Sequence, residues 1–313
     1  MGILKTENGG QTWSPTGFAF NPSELTANKQ RQTYDLVADP NRPLYQYAVT
    51  DEHFYWTSNG WDTYDSLQLN TQDPNTNVRY LEVVPENNVA GWNKILIGGN
   101  GFWRFDGVDN QGNPLLDTLT ANLPMTPGRT FFRARADVVE DRMGVIYALW
   151  HDNDVLDRHF FLGKSHDLGA SWSIIDSSAA FQQCYWKVMS SVPFEFEASP
   201  SDSTVFYIGG VRIAKYAAAT GPAYIAWSNP NSQHWMHDDM RDMQVFALPN
   251  GEDRLFVAND GGLSRSDNSG DSWYYINGSG LNIAQFYGMD TWEPLDYIVG
   301  GIQDGGSLIW RNG

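Results

Sequence analysis

The sequence predicts an all-β protein, a propeller of six or seven blades in which each blade is a four-stranded antiparallel sheet. Three observations carry this prediction. A polar eight-residue frame that closes on an aromatic residue recurs along the chain, and β-rich segments separated by turn residues precede each copy. The copies are also spaced at close to the ~40–50 residues that a four-stranded blade occupies.

The length and composition of the chain are those of a large globular domain. It has 313 residues, of which 41% are hydrophobic and 14% aromatic. This length suffices for one large all-β domain with its own core, and no Pro/Gly/Ser-rich linker divides it. We therefore predict a single propeller domain over residues 1–313 and leave open whether it is an excised part of a longer multidomain protein.

The charge balance narrows the range of partners. The net charge is −17, from 37 acidic and 20 basic residues, and the one cysteine, Cys184, can form no internal disulfide. An acidic surface disfavours nucleic acid, whose binding depends on Lys and Arg neutralising phosphates. No apolar run is long enough to span a membrane, so no membrane insertion is expected. We expect an extracellular or cell-surface protein whose signal segment lies outside this chain.

The recurring frame has the form Ser/Thr-x-Asp/Asn-x-Gly-x-Ser/Thr-Trp. The residues that define its three well-kept copies are Thr6, Asn8, Gly10 and Trp13; Ser165, Asp167, Gly169 and Trp172; and Ser266, Asn268, Gly270 and Trp273. A looser copy keeps Asn59 and Tyr64 but has Trp61 in place of the glycine, and a still looser one ends at Trp235.

The chemistry of the frame is that of a hairpin. The Asp or Asn side chain accepts backbone N–H bonds within the turn, and the glycine supplies a conformation that a Cβ would penalise. The closing aromatic then packs between neighbouring sheets. Closing aromatics stand at 13, 64, 172, 235 and 273, and the long second interval, from 64 to 172, accommodates two units, one of them without a frame, over residues 94–107. The predicted unit is three strands, the frame hairpin and a fourth strand.

This frame resembles the Asp-box, also called the bacterial neuraminidase repeat, of sialidases, sortilin-type propellers and xyloglucan-hydrolysing propellers. A longer run resembles one found in secreted bacterial propellers of the sortilin-like and xyloglucanase-like group, which reads His-x-Asp-x-His, Asn-Asp-Gly-Gly and Gln-Asp-Asn-Gly. The matching positions here are His237, Asp239 and Arg241; Asn259, Asp260, Gly261 and Gly262; and Gln303, Asp304, Gly305 and Gly306. Arg241 replaces the second His and Gly305 replaces the Asn. The resemblance implies the fold and leaves the activity open.

Asp260 and Asp304 are the candidate catalytic residues if the protein is an enzyme. A glycoside hydrolase needs two carboxyl groups roughly 5–10 Å apart. We expect Asp239, Asp260 and Asp304 to stand at equivalent places in three successive units, where they could ring a channel mouth. The alternative is that these Asp residues cap tight turns. In the xyloglucanase-like group the two acids lie on separate propellers, so one propeller would hold at most one. Sialidase chemistry is less favoured, because the Arg-Ile-Pro signature of that family is absent.

Ligand binding without catalysis is the favoured function. Sugar rings stack on exposed aromatics, and the candidates are Trp56, Trp61, Trp103 and Trp186, with His237, Asp239, Arg241 and Gln303 as polar contacts. We predict a secreted or surface-exposed propeller that recognises a glycan or a protein loop at the mouth of its channel. The alternatives are a glycoside hydrolase and a structural or adhesive component of a larger extracellular or virion assembly. No cofactor and no metal site are expected. The photosystem II assembly factor is a further propeller relative, but the acidic balance argues against its Arg-rich mode of docking.

Overall fold

The computed structural model describes residues 2–18, 33–50, 53–69, 78–84, 91–129, 131–139, 142, 144–152, 159–188, 194–226, 232–277, 286–292, 297–302 and 306–311. The chain divides into two compact units, Met1–Ser177 and Ser178–Gly313. Within the described residues the regular secondary structure of both units is almost entirely antiparallel strand, which confirms the predicted all-β class. The prediction of one domain with six or seven blades stays a prediction.

The first unit begins with a two-stranded hairpin and a four-stranded sheet. The hairpin pairs β1 (Leu4–Lys5) with β2 (Ser14–Pro15). The sheet contains β3 (Asp35–Ala38), β4 (Gln46–Val49), β5 (His53–Thr57) and β6 (Asp65–Gln68), paired in chain order. Each strand thus pairs with the strand that follows it, as the predicted blade requires.

Two more meanders complete the first unit. One contains β7 (Val78–Val83), β8 (Ile95–Gly99), β9 (Phe102–Val108) and β10 (Pro114–Thr118), and a 3-10 helix follows at Thr120–Asn122. The other contains β11 (Phe131–Asp137), β12 (Ile146–Asp152), β13 (Phe160–Ser165) and β14 (Ser173–Asp176). One register pair, Ala134 with Gly99, connects the two meanders.

The second unit opens with a helix, α1 (Ala179–Val188). A four-stranded sheet follows, of β15 (Glu195–Ala198), β16 (Val205–Gly209), β17 (Ile213–Ala217) and β18 (Gly221–Tyr224). The next sheet contains β19 (Met240–Ala247), β20 (Asp253–Asn259), β21 (Gly262–Ser266) and β22 (Tyr274–Tyr275). The last has three strands, β23 (Phe286–Trp292), β24 (Tyr297–Ile302) and β25 (Gly306–Arg311). Among the described residues no helix is long and apolar enough to cross a membrane.

The core lies between neighbouring sheets of each unit. Strand β20 shows why, because its residues alternate between buried and partly buried along its whole length. Leu255 and Val257 point into a cluster that also contains Tyr207 and Ile213 of the preceding sheet. Side chains with a period of two therefore fill the space between sheets, which removes apolar surface from water.

Three tryptophans predicted to stack on sugars belong to this core, so that prediction is wrong for them. Trp56, Trp61 and Trp103 are 2%, 1% and 7% exposed. Trp56 and Trp103 lie in the cluster between the β3–β6 and β7–β10 sheets, and Trp61 lies in a cluster with Phe18 of the N-terminal segment. A stack of sheets is covered on both faces, so its aromatic rings serve as filling. The side chain of Trp186 lies outside the described residues.

The frame forms the hairpin between the third and fourth strands. In the copy after β13, the Ser165 hydroxyl donates to Asp167 Oδ1 at 2.7 Å and accepts the Gly169 N–H at 2.8 Å. Asp167 Oδ1 also accepts the Ser171 N–H at 2.8 Å. The same three bonds recur in the copies at Thr6–Thr12, Thr57–Thr63 and Ser266–Ser272.

The left-handed backbone of the hairpin explains the glycine of the frame. The residue at that position has a φ of 88° in Gly10, 88° in Gly169, 91° in Gly270 and 71° in Trp61. A side chain is strained at such angles. Trp61 adopts the conformation nonetheless, and its buried ring supplies packing that offsets the strain. One residue thus closes the turn and fills the core.

The closing aromatics pack against the preceding structure in three of the four copies. Trp273 is 9% exposed and its Nε1 donates to the Ile225 carbonyl at 2.8 Å, just after the preceding sheet. Trp172 contacts Phe102 of the preceding sheet, and Tyr64 contacts Phe18. Trp13 differs, because it is 59% exposed. The prediction that every closing aromatic is a buried wedge is wrong for Trp13, which has no preceding sheet among the described residues.

Trp235 does not close a frame hairpin. It follows β18, the fourth strand of its sheet, whereas the frame hairpins precede the fourth strand. The looser resemblance ending at Trp235 therefore reflects local composition and not an equivalent place in the unit. Ser228, at the start of that stretch, lies outside the described residues.

Candidate functional site

The candidate site is built on the tight turn between β20 and β21, residues Asn259, Asp260, Gly261 and Gly262, which we call the Asp260 turn. Asn259 pairs with Gly262 in the register, so Asp260 and Gly261 form a two-residue connection. The Asn259 side chain accepts the Gly261 N–H at 3.0 Å through Oδ1. Gly262 has a φ of 125°, a region that only glycine enters readily. The local sequence Asn-Asp-Gly-Gly therefore specifies this turn.

Arg241 and Asp260 form a bidentate ion pair on the turn. Arg241 Nε and Nη2 donate to the two carboxylate oxygens of Asp260 at 2.6 and 2.9 Å. The register of β19 with β20 shifts between Met240 and Asp242, so Arg241 is the extra residue of a β-bulge. Bulges re-aim side chains, which explains how Arg241 reaches the turn. The Arg241 side chain is 47% exposed and that of Asp260 10%.

Asp239 lies directly beside the turn and immediately precedes β19 of the same sheet. Its carbonyl accepts the Asp260 N–H at 3.2 Å, and its own N–H donates to the Val211 carbonyl at 2.9 Å. Its φ of 64° is left-handed, where Asp and Asn are enriched among non-glycine residues. The expectation that Asp239 and Asp260 stand at equivalent places in successive units is therefore wrong. They are neighbours within one unit, because the chain turns into β19 at Asp239.

His237 also packs against the turn, at Gly261. A Cβ on Gly261 would lie 2.6 Å from His237 Cβ, so glycine is required there. His237 Nδ1 lies 2.9 Å from the Asp238 carbonyl. Arg212 approaches the Asp238 carboxylate at 3.9 Å. The three residues of the His-x-Asp-x-Arg run thus all meet the Asp260 turn, although each does so differently.

Sequence reasoning missed Tyr275, Asn277 and Trp235. The Tyr275 hydroxyl donates to the Gly261 carbonyl. Asn277 Nδ2 donates to the same carbonyl at 2.7 Å and lies 2.8 Å from the Tyr275 hydroxyl oxygen, and Asn277 Oδ1 accepts the Leu263 N–H at 3.0 Å. The Trp235 ring lies 5.3 Å from that of Tyr275 at 64°. The signal in the sequence was the Tyr-Tyr pair directly after Trp273, which closes the frame.

Two predicted site residues lie outside the described part of the chain. Gln303 and Asp304 follow β24 and precede β25 in the sequence. The predicted pairing of Asp260 with Asp304 stays a prediction. Within the described ranges, no group of three or more His, Cys, Asp and Glu residues could hold a metal ion.

A second group of charged residues lies on β3, β7 and β11, the first strands of the three meanders of the first unit. Burial raises the pKa of Glu82 well above its ordinary value of 4.5, the neighbouring Asp137 carboxylate raises it further, and Arg135 lowers it. Asp137 is 6% exposed. The Arg135 guanidinium lies 5.1 Å from the Tyr80 ring centre, and Asp35 Oδ2 accepts the Leu81 N–H at 2.7 Å. The protonation of Glu82 in this group therefore makes the stability of the first unit depend on pH.

The first unit also has a cleft of about 330 Å³ beside the frame hairpin of Asp167. Arg104, which lines this cleft, donates to Asp106 at 2.7 Å, to Asp117 at 2.5 Å and to the Leu168 carbonyl. Asn122 donates to the Gly169 carbonyl at 3.2 Å. Arg104 and Asn122 thus join the hairpin to β9 and to the 3-10 helix, which makes this cleft a structural junction.

Comparison with known proteins places the fold. No family model matches the chain, and no curated protein matches it. Among solved structures, an ancestral GH74 enzyme is 12% identical with a TM-score of 0.60, over 98% of this chain and 44% of that one. The extracellular domain of a proposed hybrid two-component system from B. thetaiotaomicron is 15% identical with a TM-score of 0.50, over 96% of this chain and 34% of that one.

These structural neighbours are β-propellers, and the chain has the β-propeller fold. It spans less than half the length of either neighbour. At these identities the likeness concerns the fold alone, so the chemistry of the chain must be argued from its own residues.

Proposed function

We propose that this chain is an extracellular or surface-exposed binding propeller that recognises a neutral glycan at the Asp260 turn. The observation that supports it best is the Arg241–Asp260 pair, which presents an arginine side chain that is 47% exposed beside a carboxylate that is 10% exposed, on a tight turn. Sugar hydroxyls donate and accept hydrogen bonds at once, so an acid beside an arginine offers partners for both roles. The net charge of −17 disfavours a polyanionic ligand.

Binding is favoured over catalysis by the way Asp260 is held. Both of its oxygens accept N–H bonds from Arg241, at 2.6 and 2.9 Å. A general acid or nucleophile must turn an oxygen toward the glycosidic bond. Asp260 would have to break a bidentate charged pair to do so, and such pairs are among the stronger hydrogen-bonded contacts.

The four hairpins share one hydrogen-bond pattern, and this supports assigning the chain to a particular group of propellers. They have the geometry expected of an Asp-box, with the Ser or Thr hydroxyl and the Asp or Asn side chain closing the turn. We propose on this ground that the chain is an Asp-box propeller of the sortilin-like and xyloglucanase-like group. Arg241, where that group has His, is the departure on which a different ligand or activity would depend.

A glycoside hydrolase, or half of one, is the second candidate. The propeller fold that the chain shares with a GH74 enzyme is compatible with it, and this chain covers 44% of that protein. In that case Asp260 and Asp304 are the carboxylates to substitute first. A component of a larger assembly that binds a protein partner is the third candidate, and the experiment below separates all three.

The test is a screen of the purified chain against neutral polysaccharides, acidic polysaccharides and sialosides, reading both retention and the reducing ends released. We expect retention on a neutral polysaccharide without release. Asp260→Asn should weaken retention by about tenfold, because the charged pair with Arg241 is lost. The matched control is Asp267→Asn, since Asp267 pairs with Arg254 and Arg265 in the same sheet but away from the turn.

Each other outcome points elsewhere. Released ends that vanish in Asp260→Asn, with an unchanged melting temperature, would make the chain a hydrolase. A loss of stability without a specific loss of retention would make Asp260 a turn cap. Neither retention nor release from any polysaccharide would refute glycan binding and shift the search to a protein partner.

A further inference from the structure

We propose that Tyr275, braced by Trp235, is the stacking platform on which this propeller holds a neutral pyranose ring, next to the polar contacts of Arg241 and Asp260. This inference rests on the proposed function and names the surface that carries it. It replaces Trp56, Trp61 and Trp103, which are buried, with an aromatic residue that is 43% exposed.

Position is the first argument. The Tyr275 hydroxyl donates to the carbonyl of Gly261, the residue directly after Asp260. Arg241 holds the Asp260 side chain on the same turn. The aromatic ring and the charged pair therefore approach one two-residue connection, and a single sugar residue could contact both.

Rigidity is the second argument. The Tyr275 hydroxyl is fixed at Gly261 and by Asn277 Nδ2 at 2.8 Å, and the ring meets the Trp235 ring edge-to-face at 5.3 Å. The backbone beneath the Trp235 ring is itself held in a turn, because the backbone N–H of Trp235 donates to the Ser232 carbonyl at 3.0 Å. A ring that is already ordered loses little conformational freedom when a ligand binds.

Chemistry identifies the ligand class. A pyranose ring presents polarised C–H groups on its flat face, which suit the electron-rich face of an aromatic ring, and presents hydroxyls at its rim. The rim hydroxyls then reach the guanidinium and carboxylate. The carboxylate of a uronate or sialate does not strengthen stacking on an aromatic ring, and the acidic chain repels it.

The test measures retention of three variants in native gels containing neutral polysaccharide, a xylan and a galactomannan in separate gels. Tyr275→Ala removes the ring, and we expect about a tenfold loss of affinity. Tyr275→Phe keeps the ring and removes the hydroxyl, so we expect a loss of about threefold or less. Tyr274→Ala is the matched control, because Tyr274 is the adjacent residue of β22, is 55% exposed, and points to the other face of the strand.

The outcomes separate this inference from the proposed function. If the unmodified chain is retained and Tyr275→Ala is retained equally well, the Tyr275 platform is overturned and glycan binding still stands. The same holds if Tyr274→Ala loses as much affinity as Tyr275→Ala. No retention of the unmodified chain overturns both. Melting temperatures of Tyr275→Ala and Tyr275→Phe show whether each variant is folded. If only the alanine variant is unfolded, the phenylalanine variant decides. A threefold or smaller loss of affinity in it supports the platform, and a complete loss of affinity refutes it.

Discussion

Trp273 and Trp13 close two copies of the same hairpin frame and should differ sharply in their contribution to stability. Both hairpins have the same hydrogen bonds, but Trp273 is 9% exposed and Trp13 is 59% exposed. Trp273 also donates from Nε1 to the Ile225 carbonyl at 2.8 Å. Replacing each by alanine therefore compares a packed wedge with an exposed one while leaving the turn chemistry intact.

The magnitude follows from the buried area. A tryptophan side chain with nine-tenths of its surface buried removes about 200 Å² from water, which is worth about 5 kcal/mol at 25 cal/mol per Å². Trp13 buries less than half as much, which gives about 2 kcal/mol as an upper bound. We therefore expect Trp273→Ala to lower the free energy of unfolding by about 3–5 kcal/mol, in the range of other large-to-small core changes. Trp13→Ala should cost at most about 2 kcal/mol.

The assay is urea unfolding followed by far-ultraviolet circular dichroism, because fluorescence would change with the number of tryptophans. Amide exchange in β20 and β21 adds a local measurement, since Trp273 packs in the cluster of Leu255 and Val257. Equal losses in the two variants would refute the reasoning, because they would mean that the hairpin and not the wedge carries the stability. A loss below about 1 kcal/mol for Trp273→Ala would do the same.

Two further predictions concern a glycine and a buried acid. Gly270→Ala should lower the free energy of unfolding more than Gly112→Ala. Both glycines have a left-handed φ, 91° and 86°, at which a side chain costs about 1–2 kcal/mol. A Cβ on Gly270 would also lie 2.4 Å from Ile225 Cδ1, whereas one on Gly112 would meet nothing within 4 Å. Thermal unfolding of both variants checks this, and equal losses would exclude the steric contribution. The pKa of Glu82 is raised above its ordinary 4.5, so the folded chain keeps a proton that the unfolded chain releases. The contribution of Glu82 to stability is therefore fully present below pH 4.5 and falls as the pH rises through the raised pKa. Glu82→Gln should flatten that fall in the pH profile of the melting temperature, and an unchanged slope would contradict it.

The hairpins of this fold were predictable because the frame is local. Ser165, Asp167 and Gly169 form their bonds within five consecutive residues, so the sequence contains every partner. The order of strands was predictable for the same reason, since each strand pairs with its successor. Even Trp61 in the glycine position could be recognised as part of a frame, although its left-handed backbone could not.

The site was less predictable because its contacts cross between strands. Asp239 meets Asp260 only because β19 and β20 pair, and Arg241 reaches the turn only because it is the extra residue of a bulge. The burial of Trp56 and Trp103 depends on which sheet covers them, which no single segment specifies. Tyr275 escaped notice because its role comes from a hydroxyl that reaches back to Gly261, 14 residues earlier in the chain.

The pairing of strands in chain order has a consequence for synthesis on the ribosome. In the described residues, every strand pairing except Ala134 with Gly99 joins strands that are consecutive in the sequence. Each sheet can therefore complete its hydrogen bonds as soon as its own segment has emerged, before later residues are translated. Short loops between paired strands keep the entropy of closure small. The nascent chain could thus fold one sheet at a time, leaving mainly the apolar face of the newest sheet to await the next.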